Sequence, residues 1–122
     1  MNEEKPQTIE QRENGKRKLL RKFVANARNI ISNEVGLSVG AEKMTRYIIW
    51  LEQSGVTTNF SVFEQYENAI VAIPSGKERL NCSREALRRY DESLHQINFQ
   101  YHDRIIDACF EIVETYGKEV EN

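Results

Sequence analysis

Apolar residues recur along the chain at three- and four-residue intervals, interrupted by a few glycines and by Pro74. That spacing gives a helix one buried stripe. Leu20, Phe23, Val24, Ala27, Ile30 and Ile31 predict a first helix beginning near Lys16, and Gly36 is expected to close it in the left-handed conformation that glycine adopts readily. Ser38 can accept a hydrogen bond from the first amides of a second helix running to about Ser54. Met44, Tyr47, Ile48 and Leu51 share one face of it. Ile49 and Trp50 widen that face almost all round, so the helix is expected at the centre of the fold with Trp50 in the core, the alternative being an exposed Trp50 that anchors a partner.

Gly55 and residues 56–59 form the next join, after which Ser61 and Glu64 match the capping-box spacing for a third helix carrying Phe63, Tyr66, Ala69, Ile70 and Ile73. Pro74 should end it, because proline lacks an amide and pushes the preceding residue out of the helical region. A short helical piece, Lys77 to Leu80, precedes a last helix capped by Ser83, with Glu85 in its first turn. No Gly or Pro interrupts that helix before Gly117, which predicts a rod of about 50 Å. Its stripe is Leu87, Tyr90, Leu94, Ile97, Tyr101, Ile105, Ala108 and Ile112, and a second stripe of Phe99, Ile106, Phe110 and Val113 is expected to meet another helix.

The fold class that follows is all-α, an antiparallel four-helix bundle with a long C-terminal helix, forming one helical domain over residues 15–122 behind a flexible N-terminal tail, residues 1–14. A compact domain of this length has a radius of gyration near ~14 Å. The last helix therefore has to bend, fray or pack on a partner, and a homo-oligomer, most simply a homodimer, is expected.

Composition adds limits. A chain of 122 residues with 39% hydrophobic and 30% charged residues is sufficient for a single packed domain and too apolar to stay unfolded throughout. The longest apolar run, Tyr47 to Leu51, is far short of a membrane span, and the opening MNEEKPQTIE lacks the basic head and apolar stretch of a secretory signal. A cytoplasmic location without membrane association is expected, where Cys82 and Cys109 would be free thiols. The net charge of −2 is unevenly laid out: residues 1–28 carry eight Lys or Arg against four Glu, and residues 103–122 carry six acids against two bases. If the first and last helices lie antiparallel, these opposite ends favour their contact.

Three stretches taken together carry a resemblance. They are Gly36-Leu37-Ser38 with Gly40, the Phe63-Glu64-Gln65-Tyr66-Glu67 helix running into Ile73-Pro74, and Ser83-Arg84-Glu85 leading to Arg89-Tyr90-Asp91-Glu92 and Tyr101-His102-Asp103. Over roughly residues 16–113 the chain resembles an uncharacterised helical domain family of proteobacteria, a domain of unknown function. The resemblance implies a bacterial protein and a helical fold, and no activity. Members often carry an N-terminal membrane anchor, and none is expected here.

Candidate chemistry is sparse. The densest charge cluster is Lys16, Arg17 and Lys18 with Arg21, Lys22 and Arg28, a face that could bind an anion or an acidic partner, although no interleaved aromatic offers a stacking platform for bases. Glu92 and His95 reproduce the Glu-x-x-His spacing of di-iron bundles, but that chemistry needs the motif twice and two further glutamates, and His102 has Phe99 rather than an acid three residues earlier. Cys109 reads as a small core residue. Cys82 lies near a helix N-terminus, where a thiolate can be favoured, with no base assignable beside it. No catalytic, cofactor-binding or metal-binding residue is therefore assigned. The expectation is a non-enzymatic protein-binding module, an inhibitor, immunity or adaptor protein. The alternative is a nucleic-acid-associated regulator using the basic first helix.

Overall fold

A computed structural model describes residues 8–120, so the first seven residues of the expected tail lie outside the described residues. The described chain is all-helical: α1 (Ile9–Ile31), α2 (Leu37–Gln53), α3 (Val62–Ile70), a 3-10 segment (Gly76–Asn81) and α4 (Arg84–Val120). Helix α1 packs against α2 and α4, and α3 packs against the same two.

Helix α1 begins at Ile9, well before Lys16, so residues 9–14 are helical where a loose tail was expected. The cause is a capping box. The Thr8 hydroxyl accepts from the Gln11 amide at 3.2 Å, and the Gln11 side-chain carbonyl accepts from the Thr8 amide at 2.9 Å. Two otherwise unsatisfied donors are thereby bonded, enough to start a helix on polar residues. Gly15 lies inside this helix.

The helix also ends earlier than Gly36. Asn33, at φ 61°, takes the left-handed position; its amide donates to Ile30 and the Glu34 amide to Asn29, the paired bonds of a Schellman cap. Asparagine tolerates that conformation better than other side-chain-bearing residues. Gly36 instead occupies the N-cap of α2 in extended conformation, and Ser38 falls within the first turn, not at the cap. At the far end of α2, Gly55 (φ 88°) closes a second Schellman cap, with Gly55 donating to Glu52 and Val56 to Leu51. Ser61 precedes α3 but makes no side-chain capping bond, contrary to the capping-box expectation. Helix α3 stops at Ile70, three residues before the one that Pro74 restricts. The Ser83 cap of α4 is present, its hydroxyl accepting from the Ala86 amide at 3.1 Å.

The core draws Phe23, Val24, Ala27 and Ile30 from α1, Ala41, Met44 and Leu51 from α2, Val62, Phe63 and Tyr66 from α3, and Ile105, Ala108, Cys109 and Ile112 from α4. Helices α1 and α2 approach each other closely at Gly40. A Cβ added there would lie 2.5 Å from Ile30 Cγ1, and Asn26, buried beside it, donates to the Gly40 carbonyl at 2.9 Å.

Two expectations about burial are corrected. Trp50 is 47% exposed and Ile49 is also exposed, because α2 meets α1 and α3 on its inner side and no helix covers the outer side among the described residues. Trp50 instead rests edge-on against Tyr47, ring centroids 6.0 Å apart. The second α4 stripe divides: Ile106 and Val113 are partly buried against the core as α4 packs on α1 and α3, whereas Phe99 is 84% and Phe110 49% exposed.

Helix α4 has 37 residues, about 55 Å. Its side chains join the core only from Ile97 onward, leaving residues 84–96, roughly 20 Å of helix, beyond it. The 3-10 segment braces this extension through Arg79, whose guanidinium donates twice to the Asp91 carboxylate, at 2.8 and 3.2 Å.

Candidate functional site

The basic positions of α1 divide. Arg17, Lys18, Arg21, Lys22 and Arg28 are exposed, because they interleave with Leu20, Phe23, Val24 and Ala27 at helical spacing and the apolar set faces inward. Lys16 is partly buried and pairs with Glu13 at 3.4 Å. Glu119 of α4 lines the same hollow of about 560 Å³ as Glu13, Lys16 and Arg17. The opposite charges of the two chain ends are thus adjacent within one molecule, which lowers the field that the basic face presents to a polyanion.

The positions considered for metal or nucleophile chemistry lie apart. Glu92 and His95 are exposed on the α4 extension, and the His102 Nδ1 stands 3.1 Å from the neighbouring Asp103 carboxylate. Among the described residues no three His, Cys, Asp or Glu side chains are gathered closely enough to hold one metal ion. Cys109 is fully buried, and burial pushes its thiol up to about 12. Cys82 is half-buried with its thiol 3.7 Å from the Glu78 carbonyl. No helix among the described residues is long and apolar enough to cross a membrane.

Two features escaped the sequence. One is the outer side of α4, where Phe99 and Phe110 are exposed while Ile106 and Val113, on the same stripe, are partly buried against the core. Asp103, Asp107 and Glu114 are exposed along its flank. Its spacing was legible, and its exposure was not.

The other is a cleft of about 660 Å³ between α2 and α3. Glu52 from α2 and Glu64 and Glu67 from α3 line it, with Ile48, Ile49 and Phe60 as apolar wall. The Glu67 carboxyl is held above the ordinary carboxylate range, first by burial, with the Glu42 and Glu64 charges adding to it and Thr45 and Arg46 working against it. Thr58, from the α2–α3 connection, lines the same cleft; it is 6% exposed, and its hydroxyl has no hydrogen-bond partner. Only tertiary packing brings these residues together, so no local motif announces them.

Compared with known proteins, the chain matches no family model, no curated protein and no solved structure.

Proposed function

We propose that this chain is a protein-binding module without catalytic activity, an inhibitor, immunity or adaptor protein that acts in the cytoplasm by covering a partner's surface. The supporting observation is the α4 stripe, which leaves the rings of Phe99 and Phe110 in water on a helix whose other side is already packed. Large aromatic side chains dominate interface energies when a partner desolvates them. The carboxylates of Asp103, Asp107 and Glu114 beside the stripe suit a partner with a basic rim. The frame is read as an antiparallel four-helix bundle, since Phe23 meets Tyr116 while the earlier Lys16 and Arg17 share a hollow with the later Glu119. The likeness to the proteobacterial domain family agrees with a helical frame and assigns no activity to it.

The test uses the full chain and a Phe99→Ser/Phe110→Ser variant as baits in extract of the native host. A single stoichiometric protein retained by the first and lost by the second supports the reading, with unchanged thermal melting showing that both fold. Recovery of the chain alone, or equal capture by both, overturns it. Sedimentation of the purified chain tests the homodimer in parallel, since pairing of two copies through the stripe doubles the mass and the double variant abolishes the doubling.

A second reading rests on the outward set Arg17, Lys18, Arg21, Lys22 and Arg28, which would serve a nucleic-acid-associated regulator. Phosphate contacts make affinity fall steeply with salt. Absence of any salt-dependent shift of DNA or RNA at low ionic strength removes this reading.

A further inference from the structure

We propose that the α2–α3 cleft is a binding site for an organic cation, an ammonium or guanidinium group carried on a short aliphatic stem. The charge is the first reason. Glu52, Glu64 and Glu67 face one hollow and none of them forms an ion pair among the described residues, while the nearby Arg46 is directed to Glu42 at 3.7 Å. Carboxylates that line one hollow repel one another and favour a cation that enters, although the Arg46 charge offsets part of this at Glu67.

The second reason is independent of charge. Thr58 lines the cleft with its hydroxyl withdrawn from water and without a hydrogen-bond partner among the described residues. Buried hydroxyls are nearly always satisfied, and one that is not calls for a partner from outside the chain, a water, an ion or a ligand group. An ammonium or guanidinium N–H is such a partner, and the threonine oxygen accepts it.

The size and lining of the cleft select the class of cation. The three carboxylates are not gathered as the ligand shell of a single metal ion, and a cleft of about 660 Å³ exceeds what one ion would fill. Ile48, Ile49 and Phe60 give the methylenes of a stem an apolar wall while the charged head meets the glutamates. A free diamine and the side chain of a lysine or arginine on a partner protein share this chemistry. The site is separate from the α4 stripe and does not depend on it.

The test is titration of the full chain at low salt with putrescine, with Nα-acetyl-arginine amide and, as a control, with calcium, followed by amide chemical shifts. Saturable shifts centred on Thr58, Glu64 and Glu67 are expected with at least one of the two organic cations. They should weaken about tenfold in Glu64→Gln/Glu67→Gln, where the charge is lost and the shape retained. Thr58→Val, which removes the hydroxyl and keeps the volume, should weaken them as well. Tighter binding of putrescine supports the site and identifies a free amine as the ligand; equal or tighter binding of the arginine amide supports it and identifies a partner's side chain. No saturation by either organic probe up to about 10 mM overturns the proposal. So do shifts unchanged in Glu64→Gln/Glu67→Gln, shifts spread equally over Asp103 and Asp107, or calcium saturating the cleft more tightly than both organic probes.

Discussion

The Tyr66 hydroxyl donates to the side-chain carbonyl of Asn98, joining the middle of α3 to α4 at the point where α4 leaves the core. The ring of Tyr66 is fully buried and meets Tyr101 edge-on at 5.7 Å, so the hydroxyl has few other acceptors within reach. Tyr66→Phe keeps the ring contacts and removes the donor, leaving the Asn98 carbonyl half-buried without its partner. Such a loss costs about 1–2 kcal/mol. Chemical denaturation should show a lower midpoint at unchanged slope, and a midpoint equal to that of the unaltered chain would mean that water replaces the bond without cost.

Gly40 is needed for a reason distinct from turn geometry. It lies within α2, and its missing side chain admits Ile30, whose Cγ1 occupies the space a Cβ would need. Gly40→Ala gains helix propensity of up to about 1 kcal/mol but forces α1 and α2 apart, which overpacking data place at about 1–3 kcal/mol, so the net effect is destabilising. Ile30→Ala removes the clashing atom and leaves a cavity of its own. Combined with Gly40→Ala, it should cost less than the sum of the two single changes, because the methyl group fills part of that cavity. Additive losses in thermal or urea unfolding would show that the two positions do not compete for the same space.

These contacts indicate what was legible in the sequence. The inward stripe of α1 was, since Phe23, Val24, Ala27 and Ile30 repeat at the helical period and are buried as that period requires. The Ser83 cap was also legible, because capping is local chemistry. The left-handed end of α1 was assigned to Gly36, the residue type commonest there, yet Asn33 takes it, three residues nearer the last buried stripe position. Trp50 and Phe99 were misplaced for another reason. Periodicity says which residues share a side of a helix, and only the number of neighbouring helices decides whether that side is covered. The cleft was illegible altogether, for Glu52, Thr58 and Glu67 come from three successive segments whose meeting is set by the packing of α2 on α3.

Burial raises the Tyr66 hydroxyl from 10.0 to about 12 and the Cys109 thiol from 9.0 to about 12. Both groups stay neutral in the folded chain at pH values where the unfolded chain ionises. The stability linked to them is therefore complete below about pH 9 and is lost as pH rises from there toward 12. The midpoint of urea unfolding should fall over that interval, and Tyr66→Phe should flatten the part of the fall above pH 10. At pH 8, a thiol reagent should modify Cys82 and leave Cys109 untouched until denaturant is added, as peptide mass mapping would show. Equal labelling of the two cysteines in the native chain would contradict the buried placement of Cys109.

Glu67 titrates in the opposite part of the pH range. Its carboxyl is raised above 4.5 chiefly by burial, so the folded chain holds the proton more tightly than the unfolded one. Ionisation then works against folding: the penalty is absent below about pH 4.5 and grows as pH rises through the raised value. Glu67→Gln should accordingly stabilise the chain at pH 7. The gain should be modest, about 0.5 kcal/mol or less, because solvent screens a side chain that is only partly buried. It should vanish near pH 4. Urea midpoints at the two pH values measure this directly, and a variant less stable than the unaltered chain at pH 7 would show that the Glu67 carboxylate is held by a favourable contact outweighing its desolvation.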